Sequence, residues 1–291
     1  MSKLNIVLDA SMLDMFSLCE ERFRLRYIEN KVLPTKAKQL DRGSLVHTGQ
    51  EAYYKALQQG FAMNPAVDAM CTAVMQSAAS EESDLPMDEV DRVIRVLKEH
   101  AYYWQATDQS YEILAVETPF TYVLHEDDEV KIVMAGKIDL LVNDHPKYLN
   151  LVIDHKSYER DYPLKRLSHQ FINYAYAVQS NILLVNRIGF QKTLKPVEKF
   201  KRIPLSYDEL FFEQWKEDVR TIVDRYIHCV GTQQFAKNYT SCDKFYRECE
   251  YLRVCESSGK PAKLYKLAND YNTIDPWDVT QILSQPKKDE L

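Results

Sequence analysis

The chain of 291 residues is 45% hydrophobic and 27% charged, and its formal net charge is −6 at pH 7. This composition predicts a globular protein with a sizeable core, and seven glycines are too few for a repeat or low-complexity protein. The net negative charge excludes a nucleic-acid coat protein, so any polynucleotide has to be bound by a local basic patch on the surface.

The sequence has no membrane-spanning stretch, and its N-terminus lacks the apolar core of a signal peptide. We therefore expect a cytoplasmic protein that makes no membrane contact. Thiols stay reduced in that compartment, which disfavours disulfide bonds among the six cysteines.

Helical patterns occupy the N-terminal third of the chain. Ser11 followed by Asp14 predicts the start of the first helix, and Phe16, Cys19 and Phe23 then recur at helical spacing. The predicted helices span residues 11–29, 40–59, 64–80 and 87–107. Residues 60–107 are predicted to be a helical insertion.

Three β-prone runs follow, and helices and strands then alternate. The predicted strands span residues 111–124, 129–142, 148–156, 181–191 and 198–204, and the predicted helices span 163–179 and 207–229. This order predicts an α/β fold with a mixed sheet that has helices on both faces.

The most informative residues lie at the ends of two of these strands. The apolar run 149–153 predicts a buried strand. Because side chains alternate along a strand, Asp154 and Lys156 share one face and His155 points away. Asp139 ends the preceding β-prone run. Paired strands would bring Asp139 and Asp154 together as a hard-oxygen site for a divalent cation, with an ammonium beside it.

This pattern resembles the active-site motif of the PD-(D/E)xK nuclease superfamily. Asp139 would match the first acidic residue of that motif, Asp154 the second, and Lys156 the lysine. Glu117 resembles the acidic residue on the first core strand of the family. The resemblance implies a single nuclease domain over residues 1–291 with a restriction-endonuclease-like core.

Two flanking helices resemble the RecB-like branch of the superfamily. Gly43 and His47 resemble its G-x-x-x-H helix before the strands, and Gln170 and Tyr174 its Q-x-x-x-Y helix after them. The members of each pair are four residues apart and so share one helix face.

The resemblance implies a role for each of these residues. His47, Asp139, Asp154 and the backbone carbonyl of His155 would hold Mg²⁺ or Mn²⁺, and Glu117 would complete the catalytic set. Lys156 would orient a water molecule or stabilise the charge of the transition state. Gln170 and Tyr174 would position the water or a DNA phosphate. Because an imidazole ligand softens the site, Mn²⁺ should serve at least as well as Mg²⁺.

Four cysteines resemble the cluster ligands of iron–sulfur RecB-like nucleases, including the AddB type and the CRISPR-associated exonucleases. The resemblance implies that one [4Fe–4S] cluster is held by Cys19, Cys242, Cys249 and Cys255. Residues 240–256 would then form an iron–sulfur segment that closes on the N-terminal helix. The last three cysteines form no close pair of the zinc-knuckle type, which favours iron–sulfur over zinc. We expect Cys71 and Cys229 to be core thiols.

Two groups of basic residues could follow a phosphate backbone, although either could also be a solvated face. The first group is Arg22, Arg24, Arg26, Lys31, Lys36, Lys38 and Arg42, and the second is Lys192, Lys195, Lys199, Lys201 and Arg202.

Together these features predict a metal-dependent DNA exonuclease that acts on single-stranded ends in recombination, repair or CRISPR adaptation. Two alternatives stay open. The first is a DNA-binding module of the same fold that has lost catalysis, against which the intact Asp139, Asp154 and Lys156 argue. The second is a zinc-stabilised interaction protein without a nucleic-acid role, which metal analysis would separate.

Overall fold

The computed structural model describes residues 3–34, 38–80, 85–145, 147–243 and 248–278, of which residues 38–41 are described by their backbone. The helices are α1 (Ala10–Leu18), α2 (Glu20–Phe23), α3 (Lys38–Gln58), α4 (Met63–Ala78), α5 (Met87–Asp108), α6 (His169–Ala177), α7 (Pro196–Lys199), α8 (Glu209–Thr232), α9 (Leu252–Cys255) and α10 (Gly259–Asn269). The strands are β1 (Leu4–Leu8), β2 (Lys31–Val32), β3 (Glu112–Glu126), β4 (Val130–Asp144), β5 (Tyr148–Tyr158), β6 (Ile182–Gly189), β7 (Phe200–Ser206) and β8 (Asn272–Thr273).

The chain forms two compact units. The first unit comprises Met1–Lys36, Thr121–Ala135 and Leu210–Leu291, and the second comprises Ala37–Phe120 and Gly136–Glu209. Strands β3 and β4 each contribute residues to both units. None of the helices in the described part of the chain is long and apolar enough to cross a bilayer.

The second unit is built on a mixed sheet. Strand β5 pairs antiparallel with β4 and parallel with β6, and β6 pairs antiparallel with β7. Alternation along β5 directs Ile153 and His155 toward α3 and its neighbours, and Lys156 toward Phe171 of α6. Helices therefore cover both faces of the sheet, and the predicted α/β fold is confirmed.

The main core of the second unit joins the helices α3, α4 and α5 to this sheet. Tyr54, Val74 and Leu97 from the helices are fully buried together with Leu140 and Leu151 from the strands. Burial of each such side chain contributes about 1.5–3 kcal/mol, so the helices predicted as an insertion are part of the core.

The first unit has its own strand pairs and apolar clusters. Strand β1 runs parallel to the start of β4, with Leu4 opposite Val130, and β2 pairs antiparallel with β8. Phe16 and Phe23 pack with Cys229 of α8 in one cluster. A second cluster contains Leu25, Tyr251, Val254, Leu267 and Tyr271.

Tertiary contacts move several boundaries away from the predicted ones. Asp9, not Ser11, caps α1, because its side chain accepts the Met12 N–H at 2.7 Å. The predicted helix 11–29 breaks at Cys19, whose backbone is extended, and Asn238 Nδ2 donates to the Leu18 carbonyl at the break (2.8 Å).

The helix predicted over residues 163–179 begins only at His169. The segment before it is irregular, and its Arg166 makes hydrogen bonds to the end of β7 and to the residue after β7. The Arg166 Nε donates to the Ser206 carbonyl (2.8 Å), and the Arg166 carbonyl accepts from the Tyr207 hydroxyl (3.0 Å). Strand β1 and helix α10 were not predicted.

Candidate active site

Three side chains from α3, β3 and β4 meet at one point in the second unit. His47, Glu117 and Asp139 offer ligand atoms that all lie within 4.8 Å of one another. The His47 Nδ1 is 3.6 Å from a carboxylate oxygen of Glu117 and 3.6 Å from one of Asp139. Opposite ligands of one Mg²⁺ stand about 4.2 Å apart, so small side-chain movements would close these three atoms on an ion.

Asp154 and Lys156 form an ion pair on β5. The Lys156 Nζ lies 3.1 Å from Asp154 Oδ1 and 2.9 Å from Oδ2. Asp154 is fully buried, and the Lys156 ammonium contacts both of its carboxylate oxygens. A buried carboxylate is costly unless positive charge lies beside it, and a bound metal cation would share that role with Lys156.

The two aspartates are held in an environment that opposes their ionisation. Burial, and then the charge of Asp154, raises the pKa of Asp139 to about 7. Burial also raises the pKa of Asp154, although the charge of Lys156 opposes that shift. A divalent cation reverses both effects because it favours the ionised carboxylates. The donor set and its electrostatics therefore fit a hard divalent metal.

His47 and Glu117 stabilise each other's charged forms. Burial alone would lower the pKa of His47, but its interactions with Glu117 and Asp139 outweigh burial and raise it. Burial opposes the ionisation of Glu117, yet hydrogen bonds from His47 and Lys137 lower its pKa. Lys137 forms an ion pair with the second oxygen of Glu117. A metal ion would compete with the proton of His47 for these carboxylates.

Glu117 has an unusual backbone conformation. Its φ of 49° lies in the left-handed region, which few residues other than glycine adopt. Such a conformation costs about 1–3 kcal/mol and is typical of functional sites. The contacts to His47 and Lys137 place the Glu117 side chain beside His47 and Asp139.

His155 is fixed by its ring and by its backbone. The ring lies parallel to that of Tyr54, with 5.5 Å between the centroids and 11° between the planes. Its Nδ1 accepts from Asn186 Nδ2 (2.8 Å), and Asn186 Oδ1 accepts from His100 Nε2 (3.0 Å). The His155 N–H donates to Asp139 Oδ2 at 2.8 Å, so the strand end orients the first aspartate.

Gln170 and Tyr174 meet on α6, as their spacing predicts. The Gln170 Nε2 donates to the Tyr174 hydroxyl at 3.1 Å. Burial and the charge of Asp154 raise the pKa of Tyr174, so its hydroxyl stays protonated. The Tyr174 ring also packs edge-on against Phe120, with the centroids 5.8 Å apart.

Sequence reasoning found most of these residues but missed Lys137, Tyr54 and Asn186. Lys137 lies between Gly136 and Asp139, and nothing in its spacing distinguishes it from a surface lysine. Tyr54 and Asn186 belong to a helix and a strand that look like ordinary core elements, and only the fold brings them to His155.

All six cysteines are free thiols, and the four predicted cluster ligands lie in the first unit. Each of the four contacts residues 237–242. Asn238 N–H donates to Cys19 Sγ (3.4 Å), and Cys242 Sγ donates to the Asn238 carbonyl (3.8 Å). Cys249 N–H donates to the Cys242 carbonyl (2.7 Å), and Lys237 Nζ donates to the Cys255 carbonyl (2.8 Å). Residues 244–247 of the predicted segment 240–256 lie outside the described residues.

In the described part of the chain, the cysteine thiols are not close enough together to surround one zinc ion. Among the described residues, no three cysteine sulfurs come within 4.8 Å of one another. Thiolates around one tetrahedral zinc ion would stand about 3.8 Å apart. Burial raises the pKa of Cys255 to about 11 and also raises that of Cys249. Cys229 is buried beside Glu20, and Cys71 packs at the edge of the main core, as core thiols would.

The two predicted basic groups are only partly available to an anion. Arg202 is buried and pairs with Asp108, so it stabilises the core instead of forming a phosphate track. Arg22 pairs with Glu250, and Arg24 pairs with Glu21. The side chains of Lys36 and Lys38 lie outside the described residues.

The comparisons with known proteins agree with this geometry. Residues 8–256 match a family model described as the PD-(D/E)XK nuclease superfamily. A protein of Eubacterium rectale named as a candidate exonuclease has a similar fold, with a TM-score of 0.52, 12% identity, and coverage of 90% of this chain and 93% of the other. A second structure, that of SSO0001, has a TM-score of 0.40 and 14% identity, with 87% of each chain covered. Among curated proteins, none matches the sequence.

Proposed function

Because the chain belongs to the PD-(D/E)XK nuclease superfamily, we propose that it is a metal-dependent DNA exonuclease of the RecB-like branch. Its substrate is a single-stranded DNA end, of the kind produced in recombination, repair or CRISPR adaptation. The observation that carries this proposal is the meeting of His47, Glu117 and Asp139 beside the Asp154–Lys156 ion pair.

One divalent metal ion, Mg²⁺ or Mn²⁺, would be held by the carboxylates and the imidazole of this site. Its ligands would be His47, Glu117, Asp139, Asp154 and the carbonyl of His155. When bound, the ion supplies charge neutralisation for phosphate oxygens and lowers the pKa of a bound water. The raised pKa of Asp139 and the complete burial of Asp154 support this assignment.

The remaining residues act on the phosphate and on the water. The Lys156 ammonium offers a fixed positive charge where negative charge develops on the phosphate oxygens. Burial would lower the pKa of Lys156, but the charge of Asp154 raises it, so Lys156 stays charged at neutral pH. The Tyr174 hydroxyl, which accepts from Gln170, is left free to donate to a phosphate oxygen or a water.

A [4Fe–4S] cluster held by Cys19, Cys242, Cys249 and Cys255 completes the proposal. Its task is structural, because it would tie the N-terminal helix to residues 240–256. The contacts of all four cysteines with residues 237–242 support it. A [4Fe–4S] cluster is larger than one zinc ion, so the thiolates that bind the cluster stand farther apart than those around zinc.

The test is an assay on single- and double-stranded DNA with Mn²⁺ or Mg²⁺, in which the linear forms are end-labelled and the circular forms are labelled internally. We expect linear single-stranded DNA to be shortened from an end while circular DNA stays intact. Cleavage of the circular forms would make the chain an endonuclease. Binding without cleavage in either metal would support the inactive DNA-binding module.

A further inference from the structure

A basic pocket of about 260 Å³ lies in the second unit, and the proposed chemistry leaves it unused. It is formed by α5, the residues after β6 and the end of α7. Its lining residues are Arg92, Arg95, Val96, Glu99, Phe190, Gln191, Lys192 and Lys199. Four cations and one carboxylate thus face the same cavity, although acidic residues outnumber basic ones in the chain as a whole.

Two of the four cations are held in place by the protein. Arg92 donates to Glu89 (3.1 Å), to Glu159 (2.7 Å) and to the Phe190 carbonyl (2.6 Å). Lys199 donates to Glu99 at 2.7 Å. These contacts fix the floor of the pocket before any ligand arrives, which reduces the entropic cost of binding.

The other two cations, Arg95 and Lys192, are exposed and make no hydrogen bond or ion pair within the described part of the chain. Two buried polar atoms at the pocket also lack a partner there, the Nε of Arg92 and the Oε1 of Gln191. A cation that is already paired with a carboxylate binds an added anion weakly. Two unpaired cations beside a guanidinium whose position is fixed bind an anion more strongly.

The pocket is joined to the proposed active site through the end of β5. Glu159 lies three residues after Lys156, and it binds both Arg92 of the pocket (2.7 Å) and Arg42 of α3 (2.5 Å). Strand β5 ends at Tyr158, and three residues span at most about 10 Å of backbone. Consecutive phosphates of a DNA strand are closer together than this, so a strand of several nucleotides is long enough to cover that distance.

We propose that this basic pocket binds a backbone phosphate of single-stranded DNA, several nucleotides from the bond that is cut. The inference rests on the proposed nuclease function and extends it by naming where the rest of the substrate lies. Arg95 and Lys192 make the contacts that the substrate gains, and the paired Arg92 and Lys199 form the fixed floor beside them.

The experiment measures binding of fluorescein-labelled dT₄ and dT₂₀ by anisotropy in EDTA, which prevents cleavage. The variants are Arg95→Glu and Lys192→Glu. Lys147→Glu is the matched control, because this exposed lysine lies in the turn before β5, at the opposite end of that strand from Lys156.

For each pocket variant we expect about tenfold weaker binding of dT₂₀ and a salt dependence reduced by about 0.7 in the log–log slope per lost contact. The gain in affinity from dT₄ to dT₂₀ should shrink, and the control should bind like the parent. Pocket variants that bind dT₂₀ as tightly as Lys147→Glu, or a parent that does not bind it, would overturn the inference. Because binding is read without metal, this result is independent of whether the chain cleaves DNA.

Discussion

At the scale of single residues, the site combines three buried carboxylates with positively charged partners that are partly exposed. Asp139, Asp154 and Lys156 could be predicted because their spacing along paired strands fixes which face they share. The participation of Glu117 depends on its left-handed backbone and on its ion pair with Lys137, and neither can be derived from residue spacing.

The first prediction concerns His47. If its imidazole binds the metal, His47→Ala should raise the Mn²⁺ concentration required for half-maximal cleavage at least about tenfold, because ligand affinity is lost. A titration of activity with Mn²⁺ measures this. His145→Ala removes an exposed histidine of the β4–β5 turn and is the control. An unchanged metal requirement with a lower melting temperature would assign His47 a packing role.

The second prediction concerns His100 and pH. Burial lowers the pKa of His100 to about 3, so the folded chain keeps it neutral while the unfolded chain protonates near pH 6.5. The stability that a neutral His100 contributes is therefore present above pH 6.5 and is lost as pH falls toward 3, by up to about 1.4 kcal/mol per pH unit.

Urea unfolding of the parent and of His100→Gln between pH 7 and pH 4.5 measures this effect. The glutamine can still donate to Asn186 Oδ1, so we expect the variant to keep most of its stability at pH 7 and to lose less on acidification. Identical pH profiles for the two proteins would contradict a buried neutral histidine.

At the scale of secondary-structure elements, the approach of α6 to β4 depends on Gly136. A Cβ at this position would lie 2.6 Å from the Phe120 ring and 3.1 Å from Tyr174. We expect Gly136→Ala to lower the free energy of unfolding by about 1–3 kcal/mol and to reduce cleavage, because overpacking displaces Tyr174.

Gly43→Ala is the matched control for this third prediction. Gly43 lies in α3, and no neighbouring atom would contact its added Cβ within 4 Å. Alanine should therefore stabilise the helix by up to about 1 kcal/mol. Chemical denaturation of both variants measures the difference, and equal stabilities would refute the packing argument for Gly136.

Periodicity predicted the long elements well and their ends less well. Strands β3 to β5 and helices α4 and α5 have clear patterns, because one face of each packs into the core. The break at Cys19 and the late start of α6 arise from hydrogen bonds to Asn238, Ser206 and Tyr207, which are distant in sequence. The local periodicity of the sequence carries no information about hydrogen-bond partners that are distant along the chain.

At the scale of the whole molecule, the proposed cluster would connect distant parts of the first unit. We predict that protein purified without oxygen is brown and contains iron and acid-labile sulfide. Replacing Cys19, Cys242, Cys249 or Cys255 with Ala should remove the colour and lower the melting temperature, because the link between residues 19 and 242–255 is lost.

Cys71→Ala and Cys229→Ala are the controls for the cluster and should keep the colour. Cys229 is buried, so its loss has a packing cost of its own, and colour is therefore the deciding measurement. A colourless preparation that contains stoichiometric zinc would refute the cluster and leave the nuclease assignment intact.

The most direct test of the central claim is cleavage of labelled linear single-stranded DNA in Mn²⁺ by the parent, Asp154→Asn and Lys156→Ala. Asp144→Asn and Lys147→Ala are the matched controls in the β4–β5 turn region, and circular dichroism checks the fold of all five proteins. We predict that the two site variants lose at least about 100-fold in rate while folded, because a metal ligand and a fixed charge are removed. Undiminished cleavage by either folded site variant would contradict its role in the active site.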